Sequence, residues 1–222
     1  DLRVLANLIP VKIHIVVPAS SSIYSVTDLA GRRVGIGTPG SGTETNANYV
    51  LQGYGLNFDR IEPVHLRFGP SVDALRAGRI DAFFLLGAAP VEAILDLQVT
   101  VDIRLVPISA SVLTDLTAHY PFFSSSVIPT GTYRGVATTE TVALGVYWAV
   151  RQNLDTALAT DITRALWQGQ SEETFLADNP GAHFADRAHA TDVRGIPLHP
   201  GAKRYYDEPD APGADNNPGE AS

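Results

Sequence analysis

Short apolar segments alternate with helix-like segments from the start of the chain to about residue 119. The predicted strands are Val11–Val17, a short run inside 31–37, 61–68, 80–86 and 101–108. The predicted helices are a short turn or helix at Ser25–Leu29, then Thr43–Gly53, 71–78, Pro90–Leu97 and Ser109–His119. The strands are nearly continuously apolar, as expected of strands that are buried on both faces. The pattern predicts a parallel sheet between helices over 18–107.

The remaining part of the chain has a less regular pattern. Residues 120–135 are rich in proline, glycine and serine, which predicts a loop, and the apolar residues 141–150 predict a strand. Thr156–Trp167 is a predicted amphipathic helix, and Ser171–Ala177 is a predicted helix that starts with the capping-box sequence SEET. Residues 208–222 have almost no apolar side chain except alanine, so we predict a disordered tail.

Composition excludes several classes of protein. The 222 residues are 45% hydrophobic and 18% charged, which is typical of a globular fold. Cysteine is absent, which excludes disulfides and thiolate metal sites. The net charge is -8 and no basic patch with interleaved aromatics occurs, which argues against nucleic acid. The chain has no methionine and begins at Asp1, so we expect that it has lost an N-terminal portion.

The segment from Gly35 to Gly42 contains four glycines and joins a predicted strand to a predicted helix. A phosphate-binding Walker A loop would need lysine after its second glycine, but Thr43 and Glu44 follow there. A dinucleotide-binding fingerprint matches literally, yet the acid that should follow the next strand is replaced by Arg67 and Phe68. A nucleophile elbow, G-x-S-x-G, would need glycines two residues before and two residues after Ser41, where the chain has Pro39 and Thr43.

Two interpretations of this turn remain. The first amides of a helix lack partners and carry partial positive charge, so they bind carboxylates without a lysine. The candidate residues of such an anion site are Gly40, Ser41, Gly42, Thr43 and Glu44. Alternatively, Ser41 or Thr43 only caps the helix. No histidine spacing predicts a metal site, and we predict no cofactor or catalytic group.

Three segments together resemble the TAXI family of TRAP-transporter solute receptors. They are SIYSVTDLAGRRVGIGTPGSGTETNANYVLQGYGL, DALRAGRIDAFFLLGAAPVEAI and the terminal IPLHPGAKRYYDE. The resemblance extends from about Leu2 to Glu208. It implies an α/β fold of the type II periplasmic-binding-protein class, in which two lobes close on a ligand and two strands cross between them. The crossings are expected at 13–19 and 103–109.

The resemblance also implies lobe boundaries and a departure from the family. One lobe, with the parallel sheet and the ligand site, is expected at 18–107. The second lobe is expected to combine 1–17 with 108–207. The family has further residues before the point that matches Asp1, so we expect this lobe to lack its N-terminal strands and to expose apolar surface there.

The family resemblance assigns a function and further site residues. Ser41, Gly42 and Thr43 match the family turn that holds a ligand carboxylate. Gly87, Ala88 and Ala89 follow a strand at the end where open α/β sheets place ligands, and Tyr133 matches a tyrosine expected to face the cleft. The implied function is a periplasmic or extracytoplasmic, non-enzymatic receptor that passes a small organic anion, such as glutamate or a dicarboxylate, to TRAP membrane subunits. The alternatives are a ligand-sensing domain of a regulator and an α/β enzyme.

Overall fold

The computed structural model describes residues 1–167 and 187–208. The strands are β1 (Leu2–Pro18), β2 (Arg33–Gly35), β3 (Glu62–Val64), β4 (Ala82–Gly87), β5 (Ile103–Leu105), β6 (Ser124–Ile128) and β7 (Thr139–Arg151). The helices are α1 (Gly42–Gly53), α2 (Phe68–Arg76), α3 (Glu92–Leu97), α4 (Ala110–His119), α5 (Thr156–Leu166) and α6 (Pro200–Tyr206). The predicted helix at Ser171–Ala177 and all but the first residue of the predicted tail at 208–222 lie outside the described residues.

The fold is mixed α/β, and its strands form a sheet in the order β3-β2-β4-β1-β7-β6, with β5 also paired to β1. Strand β2 is parallel to both β3 and β4, as predicted. The parallel sheet was predicted for 18–107, and strand β1, which lies almost entirely before that range, is antiparallel to β4 and β5. Because strands buried on both faces are apolar throughout, their sequences do not distinguish the two directions.

The chain divides into two compact units, one formed by Asp1–Pro10 with Gly145–Ser222 and the other by Val11–Leu144. The chain passes between them at Pro10–Val11 and at Leu144–Gly145, whereas the sequence placed the crossings at 13–19 and 103–109. The short β5 pairs with the end of β1, which keeps it within the Val11–Leu144 unit. The predicted lobe 18–107 lies entirely within this unit, and its role as a receptor lobe stays a prediction.

Within the Val11–Leu144 unit, both faces of the sheet are covered. Alternate residues of β4 point to opposite sides, so Phe84 packs in one apolar cluster while Phe83 and Leu85 pack in the other. Helices α1 and α4 contribute to the first cluster, and α2 and α3 contribute to the second. This packing holds the ends of β2, β3 and β4 in fixed positions, where the candidate site begins.

Strand β6 lies in the segment that was predicted to be a loop. Residues Ser124–Ile128 pair antiparallel with the start of β7. Side chains along β6 alternate between exposed and partly buried positions, but most of them are serines. The prediction failed because serine is common in turns and gives no apolar alternation from which a strand could be read.

The second unit packs α5 against α6. Gly201 allows this contact, because the backbone oxygen of Thr156 lies where a side chain at residue 201 would begin. The unit also exposes large apolar side chains, namely Leu2, Val146, Trp148 and Leu158. The sequence analysis expected the second lobe, 1–17 with 108–207, to lack its N-terminal strands, and this stays a prediction. No helix in the described part of the chain is long and apolar enough to cross a membrane.

Candidate functional site

The glycine turn between β2 and α1 is tightly folded. Gly37 has φ +88° and Gly40 has φ +74°, a backbone region that glycine enters at little cost. A Cβ on Gly37 would lie 2.7 Å from Ser41 Oγ and 2.8 Å from Thr43 Cβ. The turn therefore packs Ser41 and Thr43 against Gly37, where there is no room for a side chain.

Part of the turn is closed by the chain's own groups. Ser41 caps α1, since its Oγ accepts a hydrogen bond from the Glu44 amide at 3.2 Å. The Glu44 carboxylate accepts from the Gly40 amide at 2.6 Å, and the Ser41 amide donates to the Thr38 carbonyl at 3.0 Å. The amides of Gly40, Ser41 and Glu44 are thus already bonded, which corrects the expectation that the whole turn offers its amides to a ligand.

The amides of Gly42 and Thr43 remain available. As the first two amides of α1 they have no intrahelical acceptor, and they make no other hydrogen bond within the described residues. The Thr43 side chain is only 7% exposed, yet its hydroxyl has no partner in the described part of the chain. Solvent reaches the Thr43 hydroxyl and Gly42, so these donors can bind an anion that replaces water at the start of α1.

A cleft of about 290 Å³ is lined by Ser41 and Thr43, on either side of Gly42 in the chain. Its walls come from the glycine turn and from the connection between β3 and α2, because β2 and β3 are parallel neighbours that end at the same edge of the sheet. Arg67 immediately precedes α2, is exposed, and has no ion-pair partner among the described residues. The lining residues are Gly37, Thr38, Ser41, Thr43, Leu66, Arg67 and Phe68.

Glu44 stabilises the turn from outside the lining of this cleft. Its second carboxylate oxygen lies 2.9 Å from Nε2 of His65, at the end of β3. The hydrogen bonds from the Gly40 amide and from His65 lower the pKa of Glu44 below its ordinary value. Its charged form therefore ties the turn to the β3 end, and the prediction that Glu44 contacts a ligand is not tested.

Residues Gly87 to Ala89 lie at the same edge of the sheet as the glycine turn. Strand β4 runs parallel to β2, and Leu86 Cδ2 lies 3.8 Å from the position that a Cβ on Gly42 would take. A Cβ on Gly87 would meet Val91 Cγ2 at 3.0 Å, which indicates a tight turn. The segment 87–89 is half-buried and does not line the 290 Å³ cleft.

Tyr133 does not face an open cleft, contrary to the sequence prediction. Its side chain is 1% exposed and packs in an apolar cluster. Its hydroxyl accepts from the Val91 amide at 2.8 Å and lies 3.0 Å from His14 Nε2. Burial raises the pKa of Tyr133 to about 12. The tyrosine fixes the segment after β4 to the core.

Sequence reasoning missed the second wall of the cleft, formed by Leu66, Arg67 and Phe68. The available signal was positional, since these residues follow β3 as the glycine turn follows β2. Two parallel strands that are neighbours present their following loops at one edge. The strand order, however, was not known from the sequence.

The chemistry of the cleft suits anion binding. It combines hydroxyl groups, nearby unpaired amides, one guanidinium and two apolar side chains, and no carboxylate lines it. The residues that the structure describes include no group of three acidic or histidine side chains placed to hold a metal ion. An anion would meet hydrogen-bond donors here without a repelling charge in the lining.

Ser41→Ala tests the capping role of the turn. The variant is expected to lower the free energy of unfolding by about 1 kcal/mol, because the Glu44 amide loses its acceptor. Urea denaturation followed by circular dichroism measures the change. Ser109→Ala is the matched control, since Ser109 occupies the same position before α4 without a side-chain capping bond. Equal losses in the two variants would contradict the role.

Solved structures of periplasmic binding proteins share features of this fold. The sulfonate-binding protein SsuA of Methylobacillus flagellatus KT is 17% identical and aligns 93% of this chain to 52% of its own, at TM-score 0.46. A glutathione-bound ABC transporter periplasmic binding protein from Brucella ovis is 14% identical over 78% of this chain and 44% of its own, at TM-score 0.46. The alkanesulfonate-binding protein SsuA of Xanthomonas axonopodis pv. citri, bound to MOPS, is 18% identical over 92% of this chain and 56% of its own, at TM-score 0.41.

This chain spans about half the length of those proteins. At these identities and TM-scores the likeness assigns no ligand to the chain. The match to a protein-family model covers nearly the whole chain. The model of the NMT1-like family matches residues 1–209, and the protein therefore belongs to the NMT1-like family.

Proposed function

We propose that this protein is a solute-binding receptor that captures a small organic anion in the cleft beside the glycine turn. The observation that carries the proposal is a group of donors at the start of α1 that have no partner within the described residues, namely the hydroxyl of Thr43 and the amides of Gly42 and Thr43. The start of a helix carries partial positive charge, which favours an anion as the acceptor for these donors. An anion seated in the cleft would supply the acceptor that the protein does not.

The cleft is better suited to binding than to catalysis. No carboxylate, lysine or histidine lines it, and the guanidinium of Arg67 stays charged, so the lining offers no side chain for proton transfer at neutral pH. Its volume of about 290 Å³ lies at the lower end of the range of ligand pockets, which favours a small solute. Membership in the NMT1-like family is consistent with a binding role.

The finer assignment rests on the sequence resemblance described above. We propose a receptor of the TAXI type, working outside the cytoplasm with TRAP-transporter membrane subunits. Glutamate and dicarboxylates are the first ligands to test. Of the site residues named from the sequence, Ser41 and Thr43 line the cleft, and the amides of Gly42 and Thr43 would be the direct donors. Gly40 and Glu44 would support the turn, and Gly87 to Ala89 would lie beside the cleft at the same edge of the sheet.

Isothermal titration calorimetry with glutamate, succinate and hexanoate tests this function. At least one of these anions should bind the wild-type chain, and Thr43→Val should weaken that binding about tenfold, or about 1.4 kcal/mol. The loss is expected because valine keeps the shape of threonine but removes the hydroxyl. Thr45→Val is the matched control, since Thr45 is exposed on α1 and does not line the cleft.

Two results would contradict parts of the proposal. One is unchanged affinity in Thr43→Val, which would place the ligand elsewhere and contradict the proposed site. The other is steady chemical turnover of a bound anion, which would assign the protein to the enzymes.

A further inference from the structure

The wall of the cleft opposite the glycine turn carries its only charged side chain. Among the lining residues, Arg67 is the single ionisable group. It has no side-chain hydrogen bond at the start of α2 and no ion pair within the described residues. A guanidinium without a partner can bind both oxygens of a carboxylate or sulfonate through its planar fork of donors.

Apolar groups lie on both sides of Arg67 in the chain. Leu66 is partly buried and Phe68 is 42% exposed, and both line the cleft. An exposed phenylalanine beside a charged group offers apolar surface that a ligand can cover. The second wall thus combines one positive charge with an apolar contact surface.

We propose that Arg67 selects the charge of the ligand, and that the cleft takes a monoanion with an apolar group attached to its carboxylate or sulfonate. This inference rests on the proposed receptor function. The unpaired donors at Gly42 and Thr43 and the guanidinium of Arg67 hold the acid group. Leu66 and Phe68 cover the apolar group.

The balance of charge within the lining favours one negative charge on the ligand. A second carboxylate would find no further cation among the lining residues. Glu44, which keeps its charge because of its bonds to Gly40 and His65, would repel each negative charge of a ligand, and Arg67 can offset this repulsion for one of them. A dicarboxylate is therefore expected to bind more weakly than a monoacid of similar length.

Calorimetric titration of the 222-residue chain with hexanoate, hexane-1-sulfonate, acetate and succinate tests the proposal. Hexanoate is expected to bind roughly tenfold more tightly than acetate, from burial of its alkyl chain. It should also bind more tightly than succinate. Hexane-1-sulfonate, which carries the same alkyl chain and one negative charge, should likewise bind more tightly than acetate.

Variants separate the two walls of the cleft. Arg67→Gln should weaken hexanoate binding about tenfold, as expected for loss of a charged hydrogen-bonded partner, while Arg60→Gln should leave it unchanged. Arg60 is an exposed arginine of the same unit that does not line the cleft. Phe68→Ala should reduce the advantage of hexanoate over acetate, and Leu95→Ala, also 42% exposed but outside the cleft, should not.

The outcomes distinguish this inference from the receptor function. Hexanoate binding that depends on Thr43 but not on Arg67 would overturn the role of Arg67 and leave the receptor function standing. Tighter binding of succinate than of hexanoate would overturn the preference for a monoanion. Failure of every acid to bind the wild-type chain would overturn both proposals.

Discussion

Gly37→Ala is expected to weaken binding of hexanoate by at least roughly a hundredfold, or about 3 kcal/mol. The new methyl group would lie 2.7 Å from Ser41 Oγ and 2.8 Å from Thr43 Cβ. Those contacts are too close, so Ser41, Thr43 or the backbone of the turn must shift. The hydroxyl of Thr43 and the unpaired amides would then no longer converge on one anion. Calorimetry of the variant measures the loss.

Gly40→Ala is the matched control for this experiment. Gly40 also has a positive φ, but a Cβ at this position meets no atom within 4 Å. The variant is therefore expected to lose about 1–2 kcal/mol of the free energy of unfolding from backbone strain. It does not have the close contacts with Ser41 and Thr43 that Gly37→Ala creates. We expect it to retain binding at temperatures where it is folded. Equal loss of affinity in both variants would show that strain alone, and not the displaced hydroxyls, explains the effect.

Acidification from pH 6.5 to pH 4 is expected to remove about 3 kcal/mol of the free energy of unfolding through His14. Burial disfavours the charged imidazole and lowers the pKa of His14 from 6.5 to about 4. Because the folded pKa lies below the unfolded one, the unfolded chain binds the proton first. This contribution to stability is complete above pH 6.5 and is lost as the pH falls towards 4.

The hydrogen bonds around His14 fit its neutral form. Nδ1 lies 3.0 Å from the Lys12 carbonyl, to which it can only donate. Nε2 is then the acceptor for the Tyr133 hydroxyl at 3.0 Å, and that hydroxyl accepts from the Val91 amide. A second proton on His14 would set Nε2–H against the hydroxyl hydrogen of Tyr133 and place a charge in the core.

Urea denaturation at a series of pH values between 4 and 7 measures this effect. His14→Gln should flatten the profile, because glutamine does not titrate. His119→Gln, which changes an exposed histidine at the end of α4, should leave the profile unchanged. Equal acid sensitivity in wild type and His14→Gln would contradict the assignment to His14.

The first part of the fold could be predicted well because its pattern is unambiguous. The apolar run of β4 and the capped, periodic sequence of α1 both lie within one or two residues of their predicted positions. The direction of β1 could not be predicted, since an apolar strand covered on both faces reads the same in a parallel and an antiparallel pair. Strand β6 was not predicted because a serine-rich sequence is typical of turns.

The candidate site was only half accessible to sequence reasoning. The glycine turn has a local signature, and its positive φ values at Gly37 and Gly40 agree with that pattern. Arg67 and Phe68 have no local sequence signature. They line the cleft only because β3 is the neighbour of β2 in the sheet. Tyr133 shows the opposite case, in which a loop tyrosine proves to be a buried hydrogen-bonding residue.

Amide chemical shifts measured by two-dimensional NMR during a titration with hexanoate test whether the anion binds at the start of α1. The largest downfield changes are expected at the amides of Gly42 and Thr43, as they gain an anionic acceptor. The Gly40 amide, already bonded to Glu44, should change little. Changes that avoid Gly42 and Thr43 while another surface responds would contradict an anion site at the start of α1.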